Sequence, residues 1–164
     1  MKVFISYGFA DYEAVKRMKE SLSGRFDVFC FEKQNDIGKP VWDTIVKRID
    51  WADVFIVYIT PATLDRAMSV GQESGHAKKA GKFIIPLKDR GVSAPDLGIL
   101  ADLKWIEIDQ ENPGTAYQTL ADTIWDYALT QEKQKAKKTN NLLWVLGGLL
   151  LIALFSKGEY EDDY

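Results

Sequence analysis

The chain contains a single cysteine, Cys30, and a single histidine, His76. One cysteine excludes a disulfide framework and a cysteine-rich zinc site, and one histidine among scattered carboxylates gives no support for a metal centre. The sequence has no GxGxxG or GxxxxGK[ST] fingerprint, and no GxSxG turn accompanies His76. We therefore expect no bound metal and no resident cofactor, and the motifs of a serine hydrolase are absent.

The net charge of −3 is unevenly distributed. Residues 1–130 carry 16 basic and 19 acidic side chains, whereas residues 131–138 (QEKQKAKK) carry four lysines and one glutamate. Residues 156–164 (SKGEYEDDY) carry one lysine and four acids. Because no broad basic surface is present, a nucleic-acid partner is not expected.

Between the basic and the acidic segments lie fourteen apolar residues, 142–155 (LLWVLGGLLLIALF). As a helix this run spans about 21 Å, against a hydrocarbon core of roughly 30 Å, so its polar flanks must extend into the headgroup region. The run lacks the polar face of a core or interfacial helix. It predicts a single transmembrane helix at 142–156 in contact with membrane lipid, although packing on a partner helix remains an alternative. Four lysines precede the run, which predicts a cytoplasmic N-terminal domain.

These segments predict a domain over residues 1–130, a basic linker over 131–141, the transmembrane helix and an acidic tail over 157–164. Within the domain, short apolar runs alternate with helical patterns, which predicts an α/β fold with a five-stranded parallel sheet covered by helices on both faces. The predicted strands are 3–7, 26–31, 54–59, 83–87 and 104–108, and the predicted helices are 11–22, 41–51, a stretch ending near 79, and 117–129. Pro86 suggests the end of the fourth strand, and Trp42 is a further candidate for the inward face of the second helix.

Ligands of such sheets bind at the carboxyl ends of the strands, so a carboxylate near those ends is the first candidate. Glu73 is predicted on a helix, and His76 shares its face. A helical glutamate is more often a solvated charge, and Asp53 has an ordinary capping interpretation. The residues alone therefore indicate a candidate cleft without a reaction.

Four segments in register resemble the Toll/interleukin-1 receptor (TIR) domain family. They are the opening VFISYGFAD, the loop and helix NDIGKPVWDTIVKRIDWAD, the strand VFIVYITPATL, and QESGHAKKAGKFIIPL. The resemblance covers about residues 1–130 and implies a flavodoxin-like TIR fold. It also implies association of the chain with further copies through TIR–TIR contacts.

Many TIR domains cleave NAD at the nicotinamide–ribose bond with a helical glutamate, which aligns with Glu73. The resemblance thus implies NAD as substrate, ADP-ribose or its cyclic variant as product, and a role in defence or cell-death signalling. The pocket would be lined by the end of the first strand, by the loop after the second strand and by an aromatic ring, namely Ser6, Tyr7, Gly8, Asp36, Gly38, Phe31 and Trp42. The chain departs from the family pattern before the glutamate, where Ala67 and Ser69 replace a serine and a tryptophan.

Two other functions fit the same residues. The chain could be a non-enzymatic TIR scaffold that recruits other TIR domains through the loop after the second strand. It could also be a relative of nucleoside deoxyribosyltransferases, which share the general sheet and use a carboxylate nucleophile, although a membrane tail is unusual in that family.

Overall fold

A five-stranded sheet forms the centre of the fold in the computed structural model, which describes residues 1–31, 41–64, 67–93 and 98–155. The sheet order is β2-β1-β3-β4-β5, and every neighbouring pair is parallel. The strands are β1 (Lys2–Ser6), β2 (Asp27–Cys30), β3 (Val54–Ile59), β4 (Phe83–Asp89) and β5 (Ile106–Ile108). The predicted α/β fold with five parallel strands is confirmed.

Helices connect the strands in chain order. They are α1 (Tyr12–Ser23), α2 (Val41–Trp51), the short α3 (Pro61–Leu64), α4 (Ala67–Lys79) and α5 (Gly114–Phe155), with 3-10 turns at Phe9–Asp11 and Gly98–Leu100. The predicted helix ending near residue 79 is thus described as two helices, on either side of residues 65 and 66.

The central strand β3 is buried along its whole length, as its uninterrupted apolar run VFIVYI predicts for a strand covered on both faces. One face carries Phe55, Val57 and Ile59, which pack with Ile45 and Ile49 of α2 and with Val70 and Ala77 of α4. Alternation along the strand directs Val54, Ile56 and Tyr58 to the opposite face. The start of α5 contacts α1 through a hydrogen bond that Tyr117 Oη donates to Ala14 O at 3.4 Å.

The prediction that Pro86 ends the fourth strand is wrong, because β4 continues to Asp89. The N–H of Phe83 donates to Asp53 O on the β3 side, so alternation directs the backbone nitrogen of Pro86 away from β3. Pairing with β5 starts only at Leu87, opposite Ile106. A proline is tolerated here because its missing N–H precedes the first residue paired with β5.

Trp42 is 42% exposed, so the expectation that it faces inward is also wrong. It lies in the first turn of α2, whereas the buried positions Ile45 and Ile49 lie further along the same helix. A residue at a helix end can share the apolar face of the helix and still project beyond the layer that the face covers.

The chain divides into two compact units, Met1–Ile124 and Trp125–Tyr164. In the first unit, α5 contributes the buried side chains of Leu120 and Ile124. In the second unit the backbone of α5 is helical through residues 131–141, the predicted linker, and on to Phe155. Within the residues described above, no helix combines the length and the apolar character needed to cross a bilayer.

Candidate functional site

The candidate site lies where the connections of the sheet change direction. From β1 the chain moves to β2 on one side and then crosses to β3 on the other side of β1. The segments that leave β1 and β3 therefore diverge at the carboxyl edge of the sheet, the usual location of a ligand crevice in open α/β sheets. Ser6 ends β1 and Thr60 follows β3 at this position.

Glu73 of α4 is the carboxylate that the fold brings to this edge of the sheet. Glu73 is 4% exposed and Ser6 is 8% exposed. Ser6 Oγ donates a hydrogen bond to Glu73 Oε2. Alternation along β1 places Ser6 on the same face as Phe4, which packs in the cluster formed with α2 and α4. Glu73 is therefore a buried, hydrogen-bonded carboxylate at the end of a strand, and it differs from the solvated helical glutamate that spacing alone favours.

The two residues after Ser6 are also buried. Tyr7 Oη donates a hydrogen bond to Phe31 O, which links the ends of β1 and β2. A Cβ atom on Gly8 would lie 3.1 Å from Asp11 Oδ2 and 3.3 Å from Thr63 Oγ1, closer than most Cβ contacts. The close approach of the β1 and β3 exits therefore favours a residue without a side chain at Gly8.

The Phe31 ring lies edge-on against two other aromatic rings. Its centroid is 5.8 Å from that of Phe4 and 5.3 Å from that of Phe29. Phe31 is half-buried and its backbone oxygen holds Tyr7, so the residue lies next to the strand ends named above.

A second polar group at the same edge was missed from the sequence. Thr60 Oγ1 donates to Asp11 Oδ2 at 2.7 Å, and Thr63 Oγ1 lies 3.2 Å from Thr60 Oγ1 and donates to Tyr58 O at 3.1 Å. Burial raises the pKa of Asp11, the hydrogen bond from Thr60 opposes that rise, and the nearby charge of Asp89 adds to it. Asp11 is the last residue of the opening motif VFISYGFAD, but nothing in the sequence connects it with Thr60, 49 positions away.

Next to this group, the end of β4 carries a network around Tyr58. Tyr58 Oη donates to Asp89 Oδ1, and Gln110 Nε2 donates both to Tyr58 Oη and, at 2.7 Å, to Asp89 Oδ1. Burial together with the hydrogen bond to Asp89 raises the pKa of Tyr58 far above its usual range. Tyr58 therefore stays protonated and acts as a hydrogen-bond donor.

The remaining predicted residues divide into two groups. Asp36 and Gly38 lie outside the described residues. His76 bonds to Asp50 and not to Glu73. Its Nε2 atom lies 2.8 Å from Asp50 Oδ1, near the C-terminal ends of α4 and α2. Asp53 accepts a hydrogen bond from Lys2 N–H at 2.8 Å and so has a structural role at the start of β1.

A groove of about 680 Å³ lies elsewhere on the molecule, along the outer edge of β4 and β5. It is lined by Ile84, Trp105, Ile106 and the first turns of α5, and Glu73 does not contribute to it. In the described part of the chain, no group of three or more His, Cys, Asp and Glu side chains is arranged to hold a metal ion.

Solved structures with similar folds include a SEFIR domain, an N-glycosidase and a deoxyribosyltransferase. A prokaryotic SEFIR domain has a TM-score of 0.60 at 18% identity, covering 76% of this chain and 98% of that one. A CMP N-glycosidase from Clostridium botulinum has a TM-score of 0.53 at 18% identity, with coverages of 73% and 98%. A 2-deoxyribosyltransferase from Bacillus psychrosaccharolyticus has a TM-score of 0.53 at 16% identity, with coverages of 74% and 90%. These likenesses establish the fold.

The sequence comparison identifies the family. No curated protein sequence gives a significant match. The TIR domain family profile matches residues 3–121, which include all five strands except Lys2 of β1, and both Ser6 and Glu73. TIR domains function in signalling and associate with one another. The chain belongs to the TIR domain family.

Proposed function

We propose that this protein cleaves the bond between nicotinamide and ribose in NAD, with Glu73 as the catalytic residue. The observation that carries the proposal is the position of Glu73, a buried carboxylate at the carboxyl end of β1 that accepts a hydrogen bond from Ser6. A buried ionisable group in a crevice is costly to keep and is a recognised indicator of a functional site.

The chemistry requires a negative charge next to the ribose. As the bond between C1′ and the pyridinium nitrogen breaks, its electron pair leaves with nicotinamide, and the ribose becomes an oxocarbenium ion. A fixed carboxylate stabilises that positive charge, and it does so more strongly in a buried site than in water. Water then adds to C1′ and loses a proton, which gives ADP-ribose. In this scheme Ser6 holds the carboxylate in one orientation.

The comparisons support this class of reaction at the level of fold. Two of the similar structures are named as an N-glycosidase and a deoxyribosyltransferase, and both names describe chemistry at a glycosidic bond. The family assignment is compatible with NAD cleavage as well as with signalling by association.

The test compares Glu73→Gln with Glu13→Gln, which alters an exposed glutamate on α1. The full chain is reconstituted at high density in liposomes, and nicotinamide release from NAD is followed by chromatography. We expect Glu73→Gln to lower kcat at least 100-fold, because the neutral amide cannot stabilise the oxocarbenium ion, and Glu13→Gln to match the unaltered chain. Equal turnover in the two variants, or none in the unaltered chain, would refute the proposal.

Signalling by association without catalysis is the second candidate. It is favoured by three exposed apolar side chains: Phe9 in the turn after β1, Trp42 at the start of α2 and Met68 at the start of α4. Exposed apolar groups near one edge are typical of interaction surfaces. Under this alternative, self-association measured by light scattering is reduced by Trp42→Ala and is unaffected by Glu73→Gln.

A further inference from the structure

We propose that Asp11 and Thr60 are positioning residues that hold Ser6 and Glu73 in contact. The inference rests on the proposed function and assigns to the same site a support that the sequence did not reveal. Neither residue is placed against the substrate; both act through the segments that carry Ser6 and Glu73.

A 3-10 turn fixes the geometry of the segment that leaves β1. After Ser6 the chain makes a 3-10 turn in which Asp11 N–H donates to Gly8 O at 2.8 Å. This turn directs the Asp11 carboxylate back towards the sheet, where it accepts a hydrogen bond from Thr60 Oγ1 at 2.7 Å. This bond adds a side-chain link between the β1 exit and the β3 exit to the direct pairing of Ser6 with Val57 of β3.

Two buried threonines fix the geometry of the segment that leaves β3. Thr60 and Thr63 are 1% and 2% exposed, and Thr63 N–H donates both to Thr60 O at 3.0 Å and to Thr60 Oγ1 at 3.2 Å. These bonds shape α3, the short helix between β3 and α4, the helix that carries Glu73. Asp11 and Thr60 therefore join the segment that carries Ser6 to the segment that leads to Glu73.

The β1 and β3 exits also pack closely against each other at Gly8. A Cβ atom at Gly8 would meet Asp11 Oδ2 and the backbone nitrogen of Thr63 within 3.4 Å. The hydroxyl of Thr60 is buried, so if it is removed, bulk water cannot readily replace its hydrogen bond to Asp11. A change at Thr60 is therefore transmitted to the β1 exit and to Ser6.

The test uses two substitutions of different character at one position. Thr60→Val keeps the shape of the side chain and removes the hydroxyl, whereas Thr60→Ser keeps the hydroxyl. Asp11→Ala removes the other partner at a half-buried position and serves if Thr60→Val does not fold. Thr130→Val is the control, because the Thr130 hydroxyl donates to Asp126 O within α5.

Two measurements are made on each full-length variant below its melting temperature. The first is kcat and KM for NAD. The second is the pH titration of the Glu73 carboxyl carbon by NMR, assigned from the spectrum of Glu73→Gln, which does not depend on turnover. We expect Thr60→Val and Asp11→Ala to lower kcat about tenfold and to shift the Glu73 titration, Thr60→Ser to restore both, and Thr130→Val to change neither.

The outcomes separate the two proposals. Turnover by the unaltered chain, with unchanged kcat and an unchanged Glu73 titration in Thr60→Val and Asp11→Ala, overturns the positioning role and leaves the proposed function intact. A failure of Thr60→Ser to restore them also overturns it. If the unaltered chain does not cleave NAD, the proposed function fails, and the Glu73 titration alone decides whether Asp11 and Thr60 position that carboxyl group.

Discussion

The protonation of Asp11 is coupled to folding. Burial and the charge of Asp89 raise its pKa in the folded state, against the opposing hydrogen bond from Thr60. From about pH 4 upwards to the raised pKa, the folded chain holds this proton more often than the unfolded chain does. The Asp11 contribution to the free energy of unfolding therefore falls as the pH rises through that range, and it is largest below about pH 4.

We predict that Asp11→Asn removes this part of the pH dependence. Urea unfolding of both chains between pH 4 and pH 7 measures it. The free energy of unfolding of the unaltered chain should fall relative to that of Asp11→Asn as the pH rises. Parallel curves across the whole range would contradict the prediction, and Asp126→Asn, an exposed change on α5, is the control.

Single residues show how far sequence reasoning reaches at the site. The end of β1 and the helix of Glu73 follow from apolar runs and helical spacing, so Ser6 and Glu73 could be proposed from the resemblance. Their hydrogen bond joins residues 67 positions apart and depends on side-chain orientation, which periodicity does not determine. Thr60 lies in the motif VFIVYITPATL just after the strand, where a threonine is equally typical of a turn, so its bond to Asp11 does not follow from the sequence.

The strands were predicted best where burial is complete. Residues 54–59 form β3 with the predicted bounds, because a continuous apolar run flanked by polar residues leaves little choice. The end of β4 was predicted wrongly from Pro86, since the cost of a proline depends on which neighbour its nitrogen faces, and that is a property of the assembled sheet. The exposure of Trp42 similarly depends on how far α2 extends beyond its cover.

The exposed pair that His76 of α4 forms with Asp50 of α2 contributes little to stability, in contrast to the buried apolar packing of the same two helices. His76 Nε2 lies 2.8 Å from Asp50 Oδ1, and Lys82 Nζ donates to Asp50 O at 2.6 Å. The His76 and Asp50 side chains are 28% and 56% exposed. An exposed pair of this kind is worth about 0.5 kcal/mol.

We therefore predict that His76→Ala lowers the free energy of unfolding by about 0.5 kcal/mol in urea titrations. NAD turnover should be unchanged, because the His76 side chain bonds to Asp50 of α2, whereas Glu73 accepts its hydrogen bond from Ser6 of β1. Lys82→Ala is a useful comparison, since its bond is to a backbone oxygen. A loss of turnover in His76→Ala with the fold intact would show that the histidine participates in the site.

For the whole chain, attachment to a membrane stays a prediction from the sequence. Four lysines closely precede residue 142 and only Lys157 follows the run, which predicts that a single-pass chain keeps its TIR domain in the cytoplasm. If so, the full chain should stay in the pellet when membranes are washed with alkaline carbonate, and the acidic tail should be cleaved by protease added from the outside of intact cells. Release into the carbonate supernatant would contradict the prediction.

The separation of Ser6 and Glu73 along the chain has a consequence during synthesis. A nascent polypeptide that has produced β1 and β2 lacks both β3, which pairs with β1, and the helix of Glu73. Closing a loop of 67 positions costs entropy that only the pairing of β1 with β3 and the packing of α4 recover. Glu73 and Ser6 can therefore meet only after the ribosome has released β3 and α4. A fragment of the chain that ends before α4 cannot carry the site.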